Sequence, residues 1–159
     1  FEGCTSLTSA PELKATTLEK SCYPSMFYGC TSLTSAPKLK ATTLAASCYS
    51  RMFEGCTSLT SAPELKATTL AGNCYSRMFY GCTKLSTVTM LAPSDQISKK
   101  SDCCNNWLNN AGTDKTVSSR TLKVMDADAY TALEGNLPDI WKKGAAGTTV
   151  KKEDNTEIK

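Results

Sequence analysis

The phrase FxGCTSLTSAP begins at Phe1, Phe27 and Phe53 and sets a period of 26 residues. Over the three consecutive units 1–26, 27–52 and 53–78, 19 of 26 positions are identical. A period of this length leaves few folding solutions. Each unit is one small supersecondary element that cannot bury its apolar residues alone and must stack on its neighbours. The variable positions are Glu2, Glu12, Glu19, Lys20, Ser21, Pro24 and Ser25 with their equivalents, and nearly all of them carry polar residues that belong in solvent.

Each unit divides in two. CTSLTSAPEL is rich in Thr and Ser with single apolar residues at Leu7, Ala10 and Leu13, which suits a short strand, and Pro11 marks its end or edge because it has no ladder donor. SCYPSMFYG reads as a short helix. Ser21, Ser47 and Asn73 share one position and are all good N-caps, and Gly29, Gly55 and Gly81 stand where a left-handed residue closes a helix. Pro24 falls in the first turn, where its missing N–H costs nothing. Cys22 and Met26, and Tyr23 and Phe27, share stripes at a spacing of four. Such a short helix has to dock on its neighbours.

A fourth unit starts at Phe79 and degenerates, with about three residues inserted before SDCCNNWLNNAG. Asp102 then takes the N-cap position, Cys103 the repeat cysteine, Trp107 the Met and Leu108 the Phe. Beyond Gly112, Thr121 to Met125 alternate as a strand, Asp126 caps a helix ending near Gly135, and TTVK is a last short strand. The expected fold class is therefore an α/β repeat solenoid of leucine-rich-repeat type, with units of short strand plus short helix over residues 1–112. Residues 113–159 form an α/β C-terminal cap packed on the same solenoid, because a terminal repeat has to cover an otherwise exposed face. The sequence begins within a unit, without an initiator Met or a signal peptide, and reads as a fragment of a longer array whose uncapped first turn is open to self-association.

The chain has no histidine, which removes the commonest general base, the commonest metal ligand and every Ser-His or Cys-His pair. No catalytic residue, cofactor or metal site is expected. A net charge of +3 from scattered basic residues gives no footing for nucleic acid, and no apolar run approaches the ~18 residues of a membrane span.

The nine cysteines fall mostly into two periodic sets. Cys4, Cys30, Cys56 and Cys82 form one, and Cys22, Cys48, Cys74 and Cys103 the other. Stacked units sit about 4.8 Å apart with parallel side chains, whereas a disulfide needs converging Cβ vectors. Both sets are read as buried ladders, the first also donating weak hydrogen bonds to loop carbonyls, with disulfides as the alternative. Cys104 replaces the repeat Tyr and is the one candidate reactive thiol. The periodic Phe and Tyr residues are read as a core spine, with the Tyr hydroxyls at the surface.

The polar strand positions remain as candidate ligand contacts. Thr8, Ser9, Glu12, Thr34, Ser35, Lys38, Thr60, Ser61 and Glu64 would form outward rows, and the Glu, Lys, Glu order at one position would pair opposite charges between neighbours. A self-satisfying ladder that keeps the array soluble explains the same residues.

The pattern MFxGCTSLTSAPxLKATTLA, with the spacing CYxxMFxGC, resembles the BspA-like leucine-rich-repeat proteins, closely over residues 1–92. It departs at Ala10, Ala36 and Ala62, where a larger aliphatic is common, and at the Pro that follows each. The resemblance implies a non-catalytic binding or adhesion module, secreted or displayed on a bacterial cell surface, whose ligand is a protein or glycan outside the cell. The alternative is a structural spacer or positioning stalk for a further domain.

Overall fold

Equivalent residues of successive units lie directly against one another in the computed structural model, which describes residues 1–159. The rings of Phe1, Phe27, Phe53 and Phe79 stack with centroids 5.5–5.7 Å apart and nearly parallel planes. Tyr23, Tyr49 and Tyr75 make a second column at 6.1 and 6.2 Å. Phe27, Phe53 and Phe79 are fully buried, and only Phe1, at 53 % exposure, has no ring on its outer side.

Backbone hydrogen bonds explain this register. In residues 47–55 the amides of Ser47, Tyr49, Arg51, Phe53 and Gly55 donate to the carbonyls of Gly72, Cys74, Ser76, Met78 and Tyr80, at 2.8–3.1 Å. The intervening amides of Cys48, Ser50, Met52 and Glu54 donate back to Ala45, Ser47, Tyr49 and Arg51. Half of the donors therefore close local turns and half reach the next unit.

The segment SCYPSMFYG and its equivalents are thus not helices. Ser21, Ser47 and Asn73 are not N-caps but left-handed residues, with φ of 54°, 55° and 54°. Left-handed residues recur every fourth position, at Ser47, Arg51 and Gly55 and again at Asn73, Arg77 and Gly81. A run of turns with that period keeps the spacing of four between apolar residues, which a helix also gives. It wins because an isolated helix of this length is marginal, whereas the turn run delivers alternate amides to a neighbouring backbone. The glycines are left-handed as expected, and they also stack. A Cβ on Gly55 would lie 3.7 Å from the Cα and the N of Gly29.

The Thr- and Ser-rich segments are extended but pair only at isolated points, Ser9 with Ser35, Thr43 with Thr69, Ser61 with Thr87 and Leu65 with Met90, all parallel. Continuous strands begin with β1 (Thr87–Met90). It pairs in parallel with β2 (Arg120–Val124), which pairs in parallel with β3 (Thr148–Lys152), so the molecule is an α/β structure with a three-stranded sheet in the order β1-β2-β3. Two helices accompany it. α1 (Ser94–Lys99) lies in the stretch of the fourth unit that is lengthened by the insertion, and α2 (Ala127–Leu133) starts where Asp126 accepts a hydrogen bond from the Ala129 amide at 2.8 Å.

One hydrophobic core runs from Leu13 to Val150, so residues 113–159 share it with the repeats. Two polar clamps fix that junction. The Arg120 guanidinium donates twice to the Gly112 carbonyl, and Trp141 Nε1 donates to the Ala111 carbonyl at 2.9 Å. Gly112 has φ +69°, and a Cβ there would sit 2.7 Å from the Leu85 carbonyl oxygen, so the approach requires glycine.

Candidate functional site

All nine candidate contact residues are exposed: Thr8, Ser9 and Glu12, Thr34, Ser35 and Lys38, and Thr60, Ser61 and Glu64. Strict alternation places the charged ones. Lys38 and Lys40 face outward while Leu39 and Ala41 are buried, and Glu64 and Lys66 face outward while Leu65 and Ala67 are buried. This is the period of two of an extended chain with one face on the core.

The hydroxyls and charges behave differently. Thr34 Oγ1 donates to the Thr8 carbonyl at 3.1 Å, and Ser86 Oγ does the same to Thr60, so part of the hydroxyl row is satisfied within the protein. The charges do not pair along the row Glu12, Lys38, Glu64 as the sequence suggested. Glu12 instead takes Lys40, diagonally across the units, at 2.5 Å. Its carboxyl is held below the usual carboxylate range by the Lys40 hydrogen bond and then by the Lys40 charge. Lys40 was missed because its position does not vary between units, yet alternation around Leu39 puts it on the same face as Lys38.

Carrying that diagonal one unit further sets Lys66 against Lys38, two cations in place of an ion pair. Neither lysine makes a salt bridge, and neither does Glu64. Here the surface opens into a groove of about 300 Å³ between Pro37, Lys38 and Leu39 on one wall and Pro63, Glu64 and Lys66 on the other. No backbone hydrogen bond joins residues 34–41 to residues 60–67, and Pro37 and Pro63 carry no amide donor.

The turn segments carry a second polar cluster that sequence reasoning overlooked. The buried carboxylate of Glu54 accepts from Arg51 at 2.9 Å and from Arg77 at 2.6 Å, and Arg77 lies over the Tyr80 ring at 4.3 Å. Burial alone would push the Glu54 carboxyl up. Hydrogen bonds from Arg77 and Arg51, reinforced by their charges, outweigh it and leave the group below the ordinary range. Glu54 and Arg51 occupy variable repeat positions, which was the available signal.

The cysteines form no disulfide. Cys30, Cys56 and Cys82 donate through Sγ to the carbonyls of Phe1, Phe27 and Phe53 at 3.0–3.1 Å, as the ladder reading expects. Burial pushes the Cys48, Cys56 and Cys74 thiols up to about 12. Cys104 is not a reactive exception. It is fully buried, its thiol is raised well above the ordinary value by burial, and its sulfur touches that of Cys103 at 3.5 Å. Cys4 and Cys22, in the first unit, are the exposed thiols.

No three acidic or thiol side chains cluster in a way that would hold a metal ion, and no helix is long and apolar enough to cross a membrane. Comparison with family models, with curated proteins and with solved structures gives no match for this chain in any of the three.

Proposed function

We propose that the chain is a leucine-rich-repeat solenoid of the BspA-like kind that serves outside the cell as a non-catalytic binding or adhesion module. The observation that supports this reading most is the face bearing Glu12, Lys38, Lys40, Glu64 and Lys66. It repeats a rigid spacing of charged side chains over a buried apolar row, and one stretch of it leaves charge and backbone unpaired. Surfaces of that form suit extended ligands, because each unit adds one more contact at the same pitch. With no histidine in the chain and its carboxylates either exposed or salt-bridged, the face offers contacts rather than a reaction centre.

A second reading, a structural spacer that positions another domain, draws support from the hydroxyls of Thr34 and Ser86 already engaged by neighbouring carbonyls. Capture of the protein on immobilised extracellular-matrix proteins and on a glycan array separates the two. Saturable capture of this chain is the expected result. Capture of a longer form carrying the same segment, with none by this segment, would leave the spacer.

A further inference from the structure

We infer that the groove between Lys38 and Lys66 binds an extended peptide segment carrying a single carboxylate side chain. This deepens the binding-module reading and rests on it.

Three features converge on that ligand. The first is charge. One unit earlier Lys40 is neutralised by Glu12, but the equivalent Lys66 faces Lys38 and gains no acidic partner. The substitution of Lys for Glu at one repeat position thus converts a closed ion pair into two open cations. With Glu64 in the same lining, the groove carries a net charge of +1, which matches one carboxylate and disfavours a polyanion.

The second feature is the backbone. Between the units that meet here, residues 34–41 and 60–67 exchange no main-chain hydrogen bond, whereas Ala62 and Leu65 do bond to Thr87 and Thr89 on the other side. Main-chain groups along the walls are therefore free to pair with an incoming extended chain, as in other strand-recognition modes.

The third is the apolar lining. Pro37, Leu39 and Pro63 give the groove aliphatic walls, and no aromatic side chain lines it. A sugar ring finds no stacking platform there, while an aliphatic side chain next to the carboxylate finds a matching surface.

The test is an NMR titration of the intact chain with a blocked octapeptide bearing one aspartate between leucine and proline, set against the same peptide with asparagine. Amide shifts at Leu39 and Lys66, which line the groove, are expected with the aspartyl peptide, with affinity about tenfold lower for the asparaginyl one, since a charge-assisted contact is lost. K38E is the informative variant, because units 1–26 and 53–78 already carry Glu there and the fold tolerates it. It should pair with Lys66, as Glu12 does with Lys40, and reduce aspartyl-peptide affinity by at least about tenfold, while K84Q leaves it unchanged.

Equal affinity for both peptides, K38E binding as well as the unaltered protein, or shifts from a sulfated disaccharide but not from the peptide would each overturn the assignment. Applying the unaltered protein and K38E to the matrix panel keeps the two levels apart. Equal capture of both overturns the groove and leaves the module reading standing. Capture of neither removes the module reading, and the peptide titration still decides the groove.

Discussion

Arg77 Nη2 lies 2.6 Å from Glu54 Oε1, and this contact bridges two neighbouring turn segments through a carboxylate that is buried. With Arg51 on the other oxygen, Glu54 is the one buried charged side chain of the chain and joins layers also held by apolar stacking, alternate amides and hydrogen bonds from Cys82 Sγ and Ser50 Oγ. Both guanidinium groups reach solvent, so the pair is worth less than a wholly interior one. Glu54→Gln should destabilise the protein by about 1–2 kcal/mol at neutral pH.

The pH dependence of that loss has a definite sign. The Glu54 carboxyl lies below the ordinary range in the folded protein, so its contribution is complete above that range and fades as the pH falls through the folded value. Urea unfolding of the unaltered protein and Glu54→Gln at neutral pH, and again in acid, should show their difference shrinking in acid. A difference that stays constant would mean that the carboxylate charge is not what stabilises the contact.

Left-handed serines offer a stabilising change. Ser47 has φ 55°, and the next unit carries Asn73 at the same position with φ 54°. Asparagine adopts this region more readily than serine. Ser47→Asn should raise stability by about 0.5 kcal/mol, read from the urea midpoint at unchanged slope, on the scale of other left-handed site corrections. A loss of stability would show that the Ser47 side chain contributes something the backbone does not.

Gly112 is the opposite case. Alanine there meets the Leu85 carbonyl and the Arg120 side chain as well as an unfavourable φ. Gly112→Ala should cost about 2–4 kcal/mol from strain and overpacking together. Thermal unfolding near that of the unaltered protein would contradict the close approach at this junction.

The thiols make a labelling prediction. Native protein should react with a maleimide at Cys4 and Cys22 alone, and all nine cysteines should react after unfolding without reductant. Seven thiols are buried and out of reach of the reagent, and burial raises those of Cys48, Cys56 and Cys74 to about 12. Rapid native labelling at Cys56 or Cys74 would contradict the buried ladders.

Much of this arrangement is legible in the sequence. Cys30, Cys56 and Cys82 repeat at the unit length, so strand spacing and parallel side chains favoured ladders, with disulfides left as the alternative. Asp126 announced α2, and alternation through Leu122 and Val124 announced β2. The turn segments misled because the spacing of four between Cys48 and Met52 fits a helix and a four-residue turn run equally well. What separates them is backbone sign at Ser47 and Arg51, which side-chain periodicity does not encode. α1 was hidden for another reason: the fourth unit was aligned with about three residues inserted before its turn segment and no helix was read there, although Asp95 and Lys99 are placed as a helix prefers. At the candidate face, the exposed row was legible, but the diagonal pairing of Glu12 with Lys40 depends on the offset between units.

Each unit docks on the next through alternate amides, and the stacking of the whole chain depends on it. Hydrogen-bond scalar couplings across N–H···O=C measure this directly. Couplings are expected from Tyr49 N to the Cys74 carbonyl carbon and from Phe53 N to that of Met78, with Met52 N coupled to Tyr49. Couplings from Tyr49 and Phe53 to carbonyls four residues earlier would mean helices instead, and would contradict it.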